Sequence, residues 1–300
     1  MLNYDIYMVD LDGTPIDGVS SQTINSGTEV VRNIVDGQVA PVMGYVNTIV
    51  PVIPFETKKI GAMLTAFGAN PLAGFPIKAA DTATLYCRLM EELGSRSADG
   101  ALKVLVNMGI VIPVSLNAGV DATGSMQVEI HTITDGTNAP IVTTPTQSLA
   151  GTPDMDEEFT VGPAKLNNVA VSGIQSVSVA FGITLAKTKD GGDGAGVVYP
   201  SSAYIQGVQP VITLVTRDVD LFDTYKEGVA IASSTLVQLA KRAKGGSIAG
   251  GSVHPQFTVA EGMIVATSID GSPQQVSIDI YPSDDLSNPL MAYVLATLAT

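Results

Sequence analysis

Residues 37–60 read GQVAPVMGYVNTIVPVIPFETKKI, and residues 196–219 read GVVYPSSAYIQGVQPVITLVTRDV. Superimposed without a gap at an offset of 159, they share Gly37/Gly196, Val39/Val198, Pro41/Pro200, Tyr45/Tyr204, Pro51/Pro210, Val52/Val211, Ile53/Ile212 and Thr57/Thr216. Chance at ordinary residue frequencies gives roughly one or two identities over such a length. Val46/Ile205, Ile49/Val208, Lys58/Arg217 and Ile60/Val219 are conservative pairs. A duplicated unit dictates architecture before any motif is weighed, so the chain reads as two similar modules, residues 1–150 and 151–300.

Each copy reads as extended chain followed by a short helix. Pro51 and Pro54 limit strand pairing in Val46 to Phe55; after Thr57, Ile60, Met63, Leu64 and Phe67 recur at helical spacing and Gly68 supplies a stop. The second copy repeats this with Asp218 or Asp220 as N-cap, Leu221, Phe222 and Tyr225 inward, and Gly228 at the end. Met126 to Thr134 runs into Asp135-Gly136, as Met263 to Ile269 runs into Asp270-Gly271, and both read as hairpins. Their offset of 135 leaves 24 residues over. Those are assigned to a helical insertion at about 76–100, with Asp81 to Leu93 presenting Leu85, Leu89 and Leu93 between an Asp81 cap and Gly94. A second helix is expected over Val229 to Lys244, with Lys241, Arg242 and Lys244 opposing the dipole at its C-terminal end.

Strands are expected over Leu102 to Val106, Ile110 to Leu116, Gln127 to Ile133, Lys165 to Val171, Gln175 to Ile183, Phe257 to Val259, Ile264 to Ile269 and Val276 to Ile280. In Gln175 to Ile183, Val177, Val179, Phe181 and Ile183 alternate with Ser176, Ser178 and Ala180, the mark of a half-buried antiparallel strand. The fold class is therefore mainly β (α+β), each module a sandwich or barrel with a flanking helix. The seam falls in Thr143 to Glu158, with Pro145, Gly151, Pro153 and acidic Asp154, Asp156, Glu157 and Glu158.

Composition narrows function. Fifteen basic against 29 acidic residues leave a net charge of −14, so counterion release from phosphates cannot drive ordinary nucleic-acid binding. The single cysteine, Cys87, excludes an intrachain disulfide and a Cys-rich zinc site. Met1 to Asp12 lacks a basic signal-peptide start, and no apolar run nears the roughly 20 residues of a membrane span. Synthesis in a reducing cytoplasm without a membrane partner is the expectation.

Asp10-Leu11-Asp12-Gly13-Thr14, after apolar Ile6 to Val9, matches the nucleophile motif of haloacid-dehalogenase-type phosphatases. That resemblance implies Asp10 as nucleophile and Asp12 as general acid, with Mg²⁺ offsetting phosphate charge. It also requires parallel strands alternating with long helices, whereas Pro15 and a Gly/Ser/Thr-rich stretch follow. Asp-Gly is equally a turn signal, used again at Asp135, Asp190 and Asp270. Lys189 to Gly196 resembles one turn of a calcium-binding glycine-rich repeat, without the stacked turns such a site needs; it reads better as an inter-subunit loop. His131 and His254 stand apart from each other and from any triad spacing, so no metal, cofactor or catalytic set is assigned.

Two similar units per chain give closed assembly a specific meaning: three chains would set six near-equivalent units around an axis, a pseudo-hexamer. Rings joined through sheet edges would make a tube, and an acidic wall would let DNA pass without sticking. Pro51-Val52-Ile53-Pro54-Phe55-Glu56-Thr57, Met108-Gly109-Ile110-Val111-Ile112-Pro113, Phe159-Thr160-Val161-Gly162 before Lys165-Leu166-Asn167, Thr132 to Asn138, and Tyr199-Pro200 to Pro210 resemble the major tail (tail tube) proteins of long-tailed, non-contractile bacteriophages. The resemblance spans most of residues 37–281. It implies a virion tail protein, made in the host cytoplasm, that polymerises as stacked trimeric rings. DNA would cross the lumen without sequence-specific binding, and the tape measure and terminator proteins would be partners. Loops joining rings are expected at Lys189 to Gly196 (Lys189, Asp190, Asp193) and Gly68 to Lys78, with Lys241, Arg242 and Lys244 meeting an acidic neighbour. The other readings are the phosphatase and a capsid decoration or minor tail protein.

Overall fold

Val52–Thr57 and Val211–Thr216 each bury every second residue, so the aligned repeat forms the same half-buried strand twice. The computed structural model describes residues 3–34, 36, 39–41, 43–78, 83–90, 100–149, 158–189, 198–243, 246–284 and 289–299. The first half runs β1 (Asn3–Leu11), β2 (Thr14–Ile16), β3 (Val19–Gln22), β4 (Thr28–Asn33), β5 (Met43–Ile49), β6 (Val52–Thr57) and α1 (Ile60–Phe67). It continues with β7 (Phe75–Ile77), β8 (Ala83–Met90), β9 (Ala101–Val106), β10 (Gly109–Gly119), β11 (Ser125–Thr132) and β12 (Ile141–Gln147). The second half begins with β13 (Glu158–Leu166), β14 (Val169–Ala170), β15 (Ile174–Ala180), β16 (Ile183–Thr188), β17 (Ser202–Val208), β18 (Val211–Thr216) and α2 (Asp220–Tyr225). It ends with β19 (Val229–Ala230), β20 (Thr235–Arg242), β21 (His254–Val259), β22 (Gly262–Asp270), β23 (Gln275–Pro282) and β24 (Ala292–Ala296).

The two halves share order and pairing. A five-stranded sheet β12-β9-β8-β1-β2 is matched by β24-β21-β20-β13-β14. The hairpin β4–β5 is matched by β16–β17. Local chemistry repeats as well. Thr57 Oγ1 donates to the Asp17 carbonyl and accepts from Lys59 N–H, as Thr216 Oγ1 does with the Ser172 carbonyl and Asp218 N–H. Gly27 and Gly182 both turn at positive φ (57° and 58°) to send the chain from the sheet into the hairpin. A Cβ there would fall 2.2 Å from the Val50 carbonyl oxygen and 2.0 Å from that of Gln209, so only glycine fits either turn.

The remaining strands form one sheet across both halves, β19-β22-β23-β18-β15-β10-β11-β6-β3, with β7 also on β10. Every described strand pair is antiparallel. The five-stranded sheets stack on this long sheet as a β-sandwich. One core joins Val9, Leu85 and Val104 to Phe55, Leu116 and Val128, and continues through Phe159, Leu239 and Phe257 to Val177, Leu214 and Ile278. Burying such a side chain contributes about 1.5–3 kcal/mol. α1 sinks Ile60, Met63, Leu64 and Phe67 into that core and ends at Gly68, as its spacing predicts.

Several expectations are corrected. The helical insertion at 76–100, with Asp81 to Leu93 as its helix, is absent from the described residues: Phe75–Ile77 and Ala83–Met90 are strands β7 and β8. Leu85 and Leu89 are four apart, a spacing that fits one strand face as well as one helix face, and pairing to β1 and β9 decides the matter. Asp81, Leu93 and Gly94 lie outside the described residues. Val229 to Lys244 is likewise no helix. It holds β19 and β20, with Val237 and Leu239 buried, so Lys241 and Arg242 close a strand and oppose no helix dipole. Asp135-Gly136 is not a hairpin, because β11 leads on to β12 in another sheet; Asp270-Gly271 does join paired strands β22 and β23. Lys165 to Val171 breaks at Asn167 and Asn168, whose positive φ turns β13 into β14. α2 starts at Asp220 without a side-chain cap, and Asp218 instead accepts from Ser172 Oγ. Of the expected seam, Asp154, Asp156 and Glu157 lie outside the described residues, and Glu158 opens β13.

Candidate functional site

The long sheet is continuous because β15 of the second half pairs with β10 of the first, in the register Ser115↔Ala180, Leu116↔Val179, Asn117↔Ser178, Ala118↔Val177 and Gly119↔Ser176. Phe181 N–H donates to Val114 O and Val120 N–H to Gln175 O at the two ends, and Ser178 Oγ donates to Asn117 Oδ1 at 2.7 Å on the outer face. Thr160 Oγ1 to Gly119 O and Gly124 N–H to Phe159 O lock β13 against the same joint. Leu116, Val177, Val179 and Phe181 are buried beneath it. Alternation in β15 therefore falls as its sequence predicts, although Gly182 ends the strand before Ile183.

The other face of this sheet carries Ser21, Thr23, Glu56, Ser115, Asn117, Gln127, Ser176, Ser178, Thr213, Ser268, Asp270 and Ser277, all at least partly exposed. None of its strands contains a lysine or arginine, while Glu56, Glu129, Asp270 and Asp279 all lie on them. Lysines and arginines sit on the five-stranded sheets at Arg88, Lys103, Lys165, Lys241 and Arg242. The open face is thus rich in hydroxyls and acidic.

The hairpin β16–β17 reaches back over the first half. Its Lys187 faces Glu129, which is bound to His131 Nε2 at 2.9 Å. Burial drives the Lys187 ammonium down to about 8 although Glu129 opposes the shift, and the His131 hydrogen bond lowers the Glu129 carboxyl. Beside the same hairpin, Ile49 N–H donates to Val198 O and Thr134 N–H to Pro200 O. Lys189 Nζ donates to Asn47 O at 2.6 Å, so the described contact of this expected inter-ring residue lies within its own chain. Asp190, Asp193 and Lys244 lie outside the described residues. In Gly68 to Lys78, Leu72 and Ile77 are buried and β7 pairs with β10, while Ala69, Asn70, Ala73 and Lys78 are exposed.

Asp10 and Asp12 form the turn between β1 and β2: Asp10 Oδ1 accepts from Gly13 N–H at 2.8 Å and Asp12 has φ 50°. The parallel sheet on which the phosphatase reading depends is not the one this chain builds. His254 is buried, accepting Lys241 N–H at Nδ1 and meeting Ala249 O at Nε2, and burial pushes the Cys87 thiol up. Among the described residues no three His, Cys, Asp or Glu side chains gather where a metal ion could bind. No described helix is long and apolar enough to cross a membrane.

The sequence reading missed the two ends of the long sheet. β3 and β22 occupy in their halves the places that β15 and β10 occupy at the joint. The apolar residues there are nonetheless open: Ile24, two residues past β3, is 42% exposed where Val179 is 0%, and Ile269 on β22 is 41% exposed where Leu116 is 0%. The signal was present in Gly109-Ile110-Val111-Ile112 against Gly262-Met263-Ile264-Val265, at an offset of 153. Matching the chain to known protein families and to curated proteins gives no match.

Proposed function

We propose that the chain is a structural virion protein, the tail tube protein of a long-tailed, non-contractile bacteriophage. In this reading residues 1–150 and 151–300 are two tail-tube-type domains. Three chains close a pseudo-hexameric ring, rings stack, and DNA passes through the bore. The observation that carries the reading is the long sheet itself: a chain that joins its own halves edge to edge has a wall with one hydroxyl-rich, acidic face whose own strands carry no lysine or arginine, Lys187 of the overlying hairpin being set against Glu129. Phosphates within about 8 Å of such a wall, the Debye length at physiological salt, meet repulsion and no lysine or arginine from the sheet's own strands. The virion tail follows as the place of action, with the tape measure and terminator proteins as partners.

Negative-stain images and light scattering of purified protein test this. Tubes of uniform diameter are expected. Discrete trimers that never stack would favour the decoration or minor tail reading, and a monomer at every concentration would refute both. Hydrolysis of a generic phosphate ester with Mg²⁺, abolished by Asp10→Asn, would restore the enzyme reading.

A further inference from the structure

We infer that the two open ends of the long sheet are complementary halves of one joint: β22 of one chain receives β3 of a second copy together with the residues that continue it to Ser26, in the register that β10 and β15 already display inside the chain. This rests on the ring in the reading above, not on its use as a DNA conduit. Positional equivalence carries Leu116↔Val179 to Ile269↔Ile24, Asn117↔Ser178 to Asp270↔Thr23, and the Phe181 N–H to Val114 O bond to Ser26 N–H and Thr267 O.

Three observations support a second copy as the occupant. First, the bulges match: β10 shifts register between Pro113 and Ser115, and β22 between Ala266 and Ser268, so the two edges present the same shape. Second, exposure is unequal in the expected way. Besides Ile24 and Ile269, Val30 and Val46 on the β4–β5 hairpin are exposed where Leu185 and Ile205 on β16–β17 are partly covered. On the receiving face, Met263 and Tyr281 are exposed where Ile110 and His131 are partly buried. Third, charge agrees. Lys187 opposite Glu129–His131 has the counterpart Arg32, exposed on β4, and Asp279, which Tyr281 Oη binds at 3.1 Å. The β4–β5 hairpin of one chain therefore lies over Met263, Asp279 and Tyr281 of the next, with Arg32 on Asp279.

The joint places Thr23 opposite Asp270, one residue out of step with the backbone-bonded positions and hence at the closer antiparallel spacing of about 4.5 Å between Cα atoms, within disulfide reach. In a Cys87→Ala background, Thr23→Cys with Asp270→Cys should yield a covalent trimer under mild oxidation, and neither single variant should. Arg32→Glu should weaken association at least about tenfold, with partial recovery on adding Asp279→Lys. Trimers by light scattering that never crosslink and ignore Arg32→Glu would overturn the joint and leave the ring standing. A chain that is monomeric throughout, with native circular dichroism, would overturn both.

Discussion

Leu116 and Ile269 hold equivalent positions on β10 and β22, and truncating each to alanine gives the most direct measure of what the free edge lacks. Leu116 is fully buried between Met126 and Val179, the residues paired with it on β11 and β15. Leu116→Ala removes buried carbons and leaves a cavity, at a cost of about 3 kcal/mol to folding. Ile269 faces Val276 on one side and, among the described residues, no paired strand residue on the other, and is 41% exposed. With about 0.8 kcal/mol per buried CH₂, three carbons and a little over half the burial, Ile269→Ala should cost about 1.4 kcal/mol in a dilute monomer. At concentrations where rings form, the gap should narrow, because assembly stabilises the wild-type edge by mass action and the variant less. Urea unfolding followed by far-ultraviolet circular dichroism at two protein concentrations reads this directly; the chain has no tryptophan to report by fluorescence. Equal costs for the two variants in the dilute monomer would refute the reasoning, since Ile269 would then be covered from within its own chain.

Gly182→Ala and Gly27→Ala should each lower stability by about 2–4 kcal/mol, combining positive φ with a backbone overlap that must be relieved; unfolding midpoints within error of wild type would contradict the shared turn. Thr57→Val and Thr216→Val should lose similar amounts, about 1–2 kcal/mol each, by leaving buried backbone groups unpaired. A large cost at one position only would break the equivalence of the two strand-to-helix corners. Lys187 has a folded pKa of about 8, below its unfolded 10.5, so the unfolded chain binds more protons across that window and stability should rise with pH through it. The penalty is complete below pH 8. Discounted for the water-exposed part of the side chain, it amounts to about 1 kcal/mol, which Lys187→Met should abolish; parallel stability–pH curves for the two proteins would exclude it.

Legibility followed the reach of each signal. Strand alternation in Val52 to Thr57 and Val177 to Phe181 is local, and it survives intact in the fold. The repeat at an offset of 159 was visible because Thr57 and Thr216 hold a corner whose hydrogen bonds need a side-chain hydroxyl. Outside it the register drifts to offsets between 150 and 155 through loops of unequal length, and Asp-Gly turns then aligned β11 with the wrong strand. Ala83–Met90 and Thr235–Arg242 were misread for a different reason. Both are inner strands of five-stranded sheets with pairing on each edge, and Leu, Ala, Arg and Lys there have helical propensity that tertiary pairing overrides. The open face was partly legible in composition, as acidity; its concentration on one sheet was not, because that depends on which strands become neighbours.

The inequality of the two joints is itself informative. Inside the chain, Leu116, Val179 and Phe181 make the contact, while the inferred joint between chains offers Ile269, Ile24 and Ser26. An edge as apolar as the internal one would pair with any strand it met during synthesis. Polar Ser20, Ser21 and Gln22 on β3 and Thr23 just after it, with the bulge and Asp270 on β22, are the features that keep exposed edges from indiscriminate pairing. Each free edge is therefore weak on its own, and specificity must come from the hairpin laid across the neighbour, where Arg32 finds Asp279 only in the correct register. A one-residue slip would set Ile24 opposite Ser268 or Asp270 in place of Ile269. Removing Arg32 should for that reason reduce the fidelity of assembly, seen as irregular particles, before it abolishes association.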